Sequence, residues 1–149
     1  HAKKISPNAK VLLMTPRGAM YTQNRAQAYA DANQDLIIIC GHYEGYDERI
    51  VSIVDDELCI GPYVLTGGEI AAMVVVDSVV RLIPGVLGGE TSALDESFSN
   101  KNELEYPQYT RPEIYKDQLV PKVLLSGNHG AIASWRKEQS QKITKQRNI

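Results

Sequence analysis

DLIIICG, residues Asp35 to Gly41, decides how the rest of this chain is read. Leu36 to Cys40 form an unbroken apolar run rich in β-branched side chains, as expected of a strand buried on both faces, and Gly41 stops it. The same pattern recurs on either side. Upstream, KVLLM (Lys10 to Met14) runs into the turn Thr15-Pro16-Arg17-Gly18, and TQNRAQAYADAN (Thr22 to Asn33) follows with alanine at helical spacing. Downstream, the shorter ELCI (Glu57 to Ile60) stops at Gly61. From Gly68, the positions Ile70, Met73, Val74 and Val80, with Ala71, Val75 and Val79 between them, predict a helix largely covered by protein that ends before Pro84, with Thr66 as its N-cap. Strands alternating with helices predict an α/β fold, a mostly parallel sheet flanked by helices.

The rest of the chain, from Gly85 on, is less periodic. Gly85 to Asn102 carries Gly, Ser, Asn and acids and reads as a loop long enough to be functional. Proline and tyrosine dominate YPQYTRPEIY (Tyr106 to Tyr115), and PKVLLSGNH leads to a predicted helix from about Ala131, started by Asn128 or Gly130. No internal repeat or low-complexity segment is found.

Composition narrows the function. With 43% hydrophobic and 23% charged residues, the 149-residue chain has the make-up of a folded domain rather than a disordered one. Glu69, Asp77 and Arg81 break the longest apolar stretch, and no basic segment precedes a hydrophobic one, so neither a membrane span nor a signal peptide is expected. Cys40 and Cys59 lack metal-ligand or redox spacing and read as free thiols of a cytoplasmic protein; His42 and His129 also lack ligand spacing, so no metal site is expected. A net charge of -2 excludes a globally basic nucleic-acid binder. The charge is uneven, however: DERIVSIVDDE (Asp47 to Glu57) holds five acids, and RKEQSQKITKQRNI (Arg136 to Ile149) holds five bases that could meet phosphates or simply keep a helix soluble. The chain opens on His1 within an already helix-like segment, which reads as an internal starting point.

Three strands thus end in glycine-containing loops, TPRG, GHYEG and GPYVLTGG. In open parallel sheets, ligands bind beyond the carboxyl ends of the strands, and glycine lets main-chain atoms approach a flat ring. Neither G-x-G-x-x-G nor G-x-x-x-x-G-K-[ST] occurs, which disfavours a dinucleotide-binding or P-loop enzyme.

In order along the chain stand GHYEGYDERI, IGPYVLTGGEIAAMVVVDSVVRLIPGVLG, ESF, LEYPQYTRPE, VPKVLLSGNH and WRKEQS. Over nearly its whole length the chain resembles the bacterial tRNA (guanine-N(1)-)-methyltransferases. The resemblance implies a SPOUT-class fold with a deep trefoil knot, where strand periodicity alone gives an unknotted sheet. It implies methyl transfer from S-adenosylmethionine to nitrogen 1 of the guanine immediately 3′ of the tRNA anticodon. It also implies a homodimer with shared active sites, the anticodon stem-loop as partner, and further sequence on both sides in family members. On this reading residues 1–127 form the methyltransferase core, including the 85–102 loop, and 128–149 begin a helical tRNA-binding region. A role for magnesium is not readable from the sequence.

The implied cofactor positions are Met14, Thr15 and Pro16; Gly41, Tyr43 and Gly45; and Ile60, Gly61, Pro62, Tyr63, Val64, Leu65, Gly67 and Gly68. The implied catalytic groups are Arg81 as the cation at the guanine oxygen, Glu96 as the base, and Glu44 near the target guanine. Two departures from the family pattern stand out. Glu96 occupies the place of an aspartate, which leaves the neighbouring Asp95 as an alternative base, and Pro62 also replaces an aspartate, removing an amide donor. Each residue also has an ordinary reading: Arg81 as a helix C-terminal cation, Asp95 and Glu96 as solvated loop acids. Two other functions fit the chain, a non-catalytic core that binds the cofactor and dimerises, and an RNA-binding module using the basic tail.

Overall fold

The computed structural model describes residues 1–87, 96–98 and 103–147, and the chain forms two compact units, His1–Glu90 and Thr91–Ile149. In the first, a short helix α1 (Ala2–Ile5) leads into β1 (Lys10–Met20), α2 (Gln23–Asp31), β2 (Leu36–Cys40), a 3-10 turn over Glu48–Ile53, β3 (Asp56–Cys59) and α3 (Glu69–Val80). The strands form a parallel sheet in the order β2-β1-β3. An α/β fold with a parallel sheet and flanking helices is therefore present.

The sheet is built around β1. Val11, Leu12, Leu13 and Met14 are all buried, so successive side chains are covered on both faces, whereas every residue of β2 is only half-buried. This corrects the sequence expectation: the β-branched run lies at one side of the described sheet, and the less β-branched KVLLM occupies the centre. Apolar content shows that a strand avoids water, but strand order decides which strand has a neighbour on each side. Leu12 and Met14 join Leu58 of β3, Ala26 and Tyr29 of α2, and Ala71, Val75 and Val79 of α3 in one core. β1 also runs further than expected. Its pairing with β3 breaks after Met14 and resumes at Ala19, so Thr15 to Gly18 bulge out of the ladder and the chain then rejoins it.

Thr22 caps α2 by accepting the Arg25 amide. The expected cap at Thr66 is not formed. The N-cap of α3 is Gly68, without a side-chain cap, and its amide donates to the Gly41 carbonyl at 2.9 Å. α3 is also less covered than expected, because only the stripe Ala71, Val75, Val79 is buried while Ile70, Met73, Val74, Val76 and Val80 stay exposed. Apolar residues run round this helix, and one sheet covers one stripe.

The second unit contains a two-residue hairpin, β4 (Ile114–Tyr115) with β5 (Gln118–Leu119), then α4 (Lys122–Leu125) and α5 (His129–Arg147). The hairpin turn, Lys116-Asp117, has both residues at positive φ, a conformation its sequence does not advertise. α5 begins two residues before the expected Ala131. Asn128 is its start, since its side-chain oxygen accepts the Ala131 amide at 3.1 Å. α5 buries no side chain and instead engages Leu104 by hydrogen bonds: the Leu104 amide donates to Thr144 Oγ1 at 2.9 Å, and the Ser140 hydroxyl to the Leu104 carbonyl at 2.6 Å. No helix among the described residues is long and apolar enough to cross a membrane.

Candidate functional site

Because β1, β2 and β3 are parallel, the loops after them open at the same end of the sheet, and a cleft of about 240 Å3 lies between them. That is close to the lower end of the roughly 300–1,000 Å3 spanned by small-molecule sites. Met14, Thr15 and Pro16 contribute from β1 and its bulge, and Gly41 to Tyr46 from the loop after β2. Ile60, Gly61 and Tyr63 to Gly68 contribute from the loop after β3. Leu58, Cys59 and Ala71 complete the lining with core side chains. Every position expected to hold a cofactor lines the cleft except Pro62, which is exposed beside it.

Glycine is required at one point of this wall. A methyl group added to Gly68 would sit 2.8 Å from Cys40 Cα and 3.1 Å from the Gly41 nitrogen, so a side chain would force α3 away from the end of β2. A methyl group on Gly61 would meet only the outer atoms of the Tyr63 ring, which is folded back over it but exposed and able to swing aside; the Tyr63 amide donates to the Gly61 carbonyl at 2.9 Å. Around these glycines the cleft presents an apolar surface from Leu58, Ile60, Val64, Leu65 and Ala71. A flat heterocycle is suited to such a surface: its faces meet apolar groups, and its edge nitrogens meet amides and carbonyls.

Charge is confined to the loop after β2 and the start of α3. Glu44 is exposed on the cleft, and His42 Nδ1 lies 3.4 Å from Glu69, a pair that attracts when the histidine is protonated. Burial, and then the nearby Glu69 charge, push the Cys40 thiol above its ordinary value, so it stays protonated and inert near neutrality. Tyr43 is 93% exposed and holds a positive φ of 55°, projecting from the loop rather than packing into it. A tyrosine in that conformation is uncommon and marks a loop held in shape by its surroundings.

Of the expected catalytic residues, Arg81 is the C-cap of α3, its amide donating to Asp77 at 3.2 Å and its side chain half-buried. Glu44 belongs to the same unit. Glu96 is half-buried in the second unit, on a polar cavity of about 340 Å3 that it shares with Glu105, Tyr106, His129, Arg136 and Lys137. Asp95 lies outside the described residues. In that unit the Arg136 guanidinium stands 4.6 Å over the Tyr106 ring, so one base of the tail has an aromatic partner. Among the described residues no group of three or more His, Cys, Asp or Glu is gathered as a metal site would need.

The sequence reading missed Tyr46, His42, Cys59 and Thr66 as parts of the cleft. Their signal was adjacency alone: each stands next to a named loop position, and nothing in a linear sequence says which neighbours face inward.

Compared with known proteins, residues 1–149 match the family model for tRNA (guanine-1)-methyltransferase TrmD. The chain is 54% identical over 145 residues to a tRNA (guanine-N(1)-)-methyltransferase of Geobacillus kaustophilus, covering 97% of this chain and 59% of the relative. It is 59% identical over 146 residues to one of Halalkalibacterium halodurans, covering 97% and 58%. A third, of Clostridioides difficile, is 53% identical over 141 residues, covering 94% and 60%. The chain therefore spans about three fifths of the length of these relatives.

Proposed function

Because the chain belongs to the tRNA (guanine-1)-methyltransferase family, we propose that it carries the methyl-donor site of an enzyme that methylates nitrogen 1 of the guanine immediately 3′ of the anticodon in tRNA. The observation that carries this reading is the glycine-walled cleft at the strand ends, in a chain matched by the family over its full length. The donor is S-adenosylmethionine. The fit is chemical: the apolar lining suits the adenine faces, and the glycine-containing loops around Gly41, Gly61 and Gly68 let the chain come close to its edge. When bound, this group would supply a methyl on a positively charged sulfur, with the C–S bonding pair staying on sulfur as a neutral thioether when the methyl is given up.

The protein's own part is to make the guanine nitrogen a nucleophile. That nitrogen carries a proton at neutral pH, and the Glu96 carboxylate, or Asp95 if the loop slips by one residue, takes it as the nitrogen's electron pair turns to the methyl carbon. Negative charge moves to the purine oxygen, where the permanently charged, planar Arg81 side chain accommodates it. Glu44 accepts from the guanine amino group, and Tyr43 closes over the base. Glu96 reaches one methylene further than aspartate, so its rate depends on whether the loop compensates; misplacement by about 1 Å can cost roughly a hundredfold.

We also propose a homodimer in which the loop bearing Glu96 completes the site of the second copy. The exposed face of α3, with Met73 69% and Ile70 57% accessible, supports pairing, because it offers an apolar surface next to the donor cleft. The fold carries a deep trefoil knot on this reading, residues 1–127 act as the methyltransferase core, and α5 begins the region that engages the anticodon stem through its basic residues. Cytoplasmic tRNA is the substrate pool, in keeping with the free thiols Cys40 and Cys59.

The span of about three fifths of its relatives' length favours a second reading, in which these 149 residues bind the donor and pair but do not turn over alone. Calorimetric titration with S-adenosylmethionine and methylation of transcript tRNA, run on this chain and on a longer one, separate the readings. Donor binding with turnover only in the longer chain supports the second; turnover by both supports the first. Absence of donor binding in the longer chain refutes both.

A further inference from the structure

Thr15 is the one residue classed as buried and polar among those described, 5% exposed, at the point where β1 leaves the ladder with β3. Its hydroxyl is the end of a hydrogen-bonded chain between two loops of the cleft. The Tyr46 hydroxyl donates to Thr15 Oγ1 at 2.9 Å, Arg17 Nη2 donates to the Tyr46 oxygen at 3.0 Å, and the same guanidinium grips both Glu48 carboxylate oxygens at 2.9 and 3.3 Å. The Arg17 amide, at 3.3 Å, turns back on the same Thr15 oxygen. Thr15 and Arg17 belong to the bulge after β1; Tyr46 and Glu48 follow the loop after β2, and the sequence separation across each bond is about thirty residues. The Tyr46 ring also lies against the first residue of its own loop, where a methyl group on Gly41 would be 3.2 Å from the ring carbon Cδ1. The loop after β2 is thus pinned at both its beginning and its end by one side chain.

We propose that Tyr46 is a positioning residue for the methyl donor, a brace that holds the Gly41–Gly45 segment against the bulge after β1 so that the cleft keeps its width before any ligand arrives. This rests on reading the cleft as the donor site. The segment needs a brace for a structural reason. It contains Tyr43 at positive φ and Gly45 at a φ of 129°, and it is mostly exposed; its backbone ties are isolated bridges from His42 to Gly45 and to Gly67, with the Gly41 carbonyl accepting from Gly68, and none of them reaches the bulge after β1. The Arg17–Glu48 pair is itself exposed, at 57% and 70%, and exposed pairs hold little by themselves. Its part is to orient the tyrosine hydroxyl toward Thr15. The inner bond, where one oxygen is buried, is where removal is felt.

The test is Tyr46→Phe, which keeps the ring against Gly41 and removes only the hydroxyl, with Arg17→Ala as a milder second variant and the double variant to read coupling. Two measurements are made: amide hydrogen exchange over residues 41–46, which needs no ligand, and donor affinity with steady-state methylation. The expected result is faster exchange in 41–46 with the sheet amides unchanged. With it, donor Kd and KM should rise by about five- to tenfold, the scale of one hydrogen bond, while kcat and the KM for tRNA stay within about twofold of wild type. Arg17→Ala should move the same quantities less, and the double variant should add nothing to Tyr46→Phe. Donor affinity unchanged in Tyr46→Phe would overturn the proposal, as would weakened affinity without faster loop exchange, which would make the hydroxyl a direct donor contact. If the wild-type protein takes up no donor, it is the methyl-donor reading that fails, and the exchange measurement alone then decides whether the brace exists.

Discussion

Replacing Gly68 by alanine tests the contact that shapes the cleft wall. The added methyl carbon would lie 2.8 Å from Cys40 Cα, 3.1 Å from Cys40 Cβ and 3.1 Å from the Gly41 nitrogen, all on or next to the main chain of β2. No rotamer change can relieve contacts with backbone, so α3 must move outward by several tenths of an ångström. That movement stretches the 2.9 Å hydrogen bond from the Gly68 amide to the Gly41 carbonyl and loosens Ala71, the buried residue on the first turn of α3. Overpacking of about 1–2 kcal/mol plus most of one hydrogen bond gives a loss of about 2–3 kcal/mol. For a domain of this size the melting temperature should fall by about 5–10 °C. Urea denaturation followed by far-UV circular dichroism measures the loss, and donor titration on the still-folded protein should show at least a tenfold drop in affinity. Gly130→Ala is the control. It lies on the exposed first turn of α5, its nearest neighbour is the Asn128 side-chain oxygen at 3.6 Å, and alanine there should be neutral or stabilising by about 0.5 kcal/mol. A Gly68→Ala protein as stable as wild type, with unchanged donor affinity, would refute the claim that close approach of α3 to β2 forms the wall.

Arg81→Ala and Glu96→Gln should each lower methylation by about a hundredfold or more while leaving donor affinity within about twofold, because neither lines the donor cleft; wild-type turnover in Glu96→Gln would move the base to Asp95 or elsewhere. Stability should fall at alkaline pH through Tyr29. Burial, and then its 2.8 Å hydrogen bond to Asp56, push its phenol up from 10.0 to about 12. The folded state thus keeps a proton that the unfolded chain releases, so the contribution is intact below pH 10 and up to about 2 kcal/mol of it is lost as pH rises through 12, a loss absent in Tyr29→Phe. Asp56 gives the opposite limb. Burial opposes its charge, but hydrogen bonds from Lys10 and Tyr29 outweigh it and hold the carboxyl below its usual range. Its contribution is therefore present above about pH 4 and lost on further acidification, which an acid titration of Lys10→Met should flatten. Met73→Glu on the exposed face of α3 should convert a dimer to monomers in sedimentation equilibrium without loss of helicity; an unchanged dimer would place the pairing surface elsewhere.

Much of this protein is set by local chemistry and was legible in its sequence. Apolar runs gave the presence of β1, β2 and β3, though not the extension of β1 to Met20, alanine spacing gave α2, and the last helix was legible to within two residues with Asn128 as one of two candidate starts, because each depends on residues within one or two turns of one another. The placing of a cleft where the three strands end also followed, since parallel strands deliver their loops to one end. Family resemblance, not periodicity, supplied the chemistry of the site. What no linear reading held was anything that depends on who becomes whose neighbour. Strand order put KVLLM rather than LIIIC at the centre, and one sheet left the far face of α3 exposed. The near contact with Cys40 made Gly68 the cap in place of Thr66, and about thirty residues separate Thr15 from the Tyr46 hydroxyl that reaches it. Such contacts are fixed only when the chain closes its long loops and the apolar faces choose their partners, which is a property of packing and not of any segment alone.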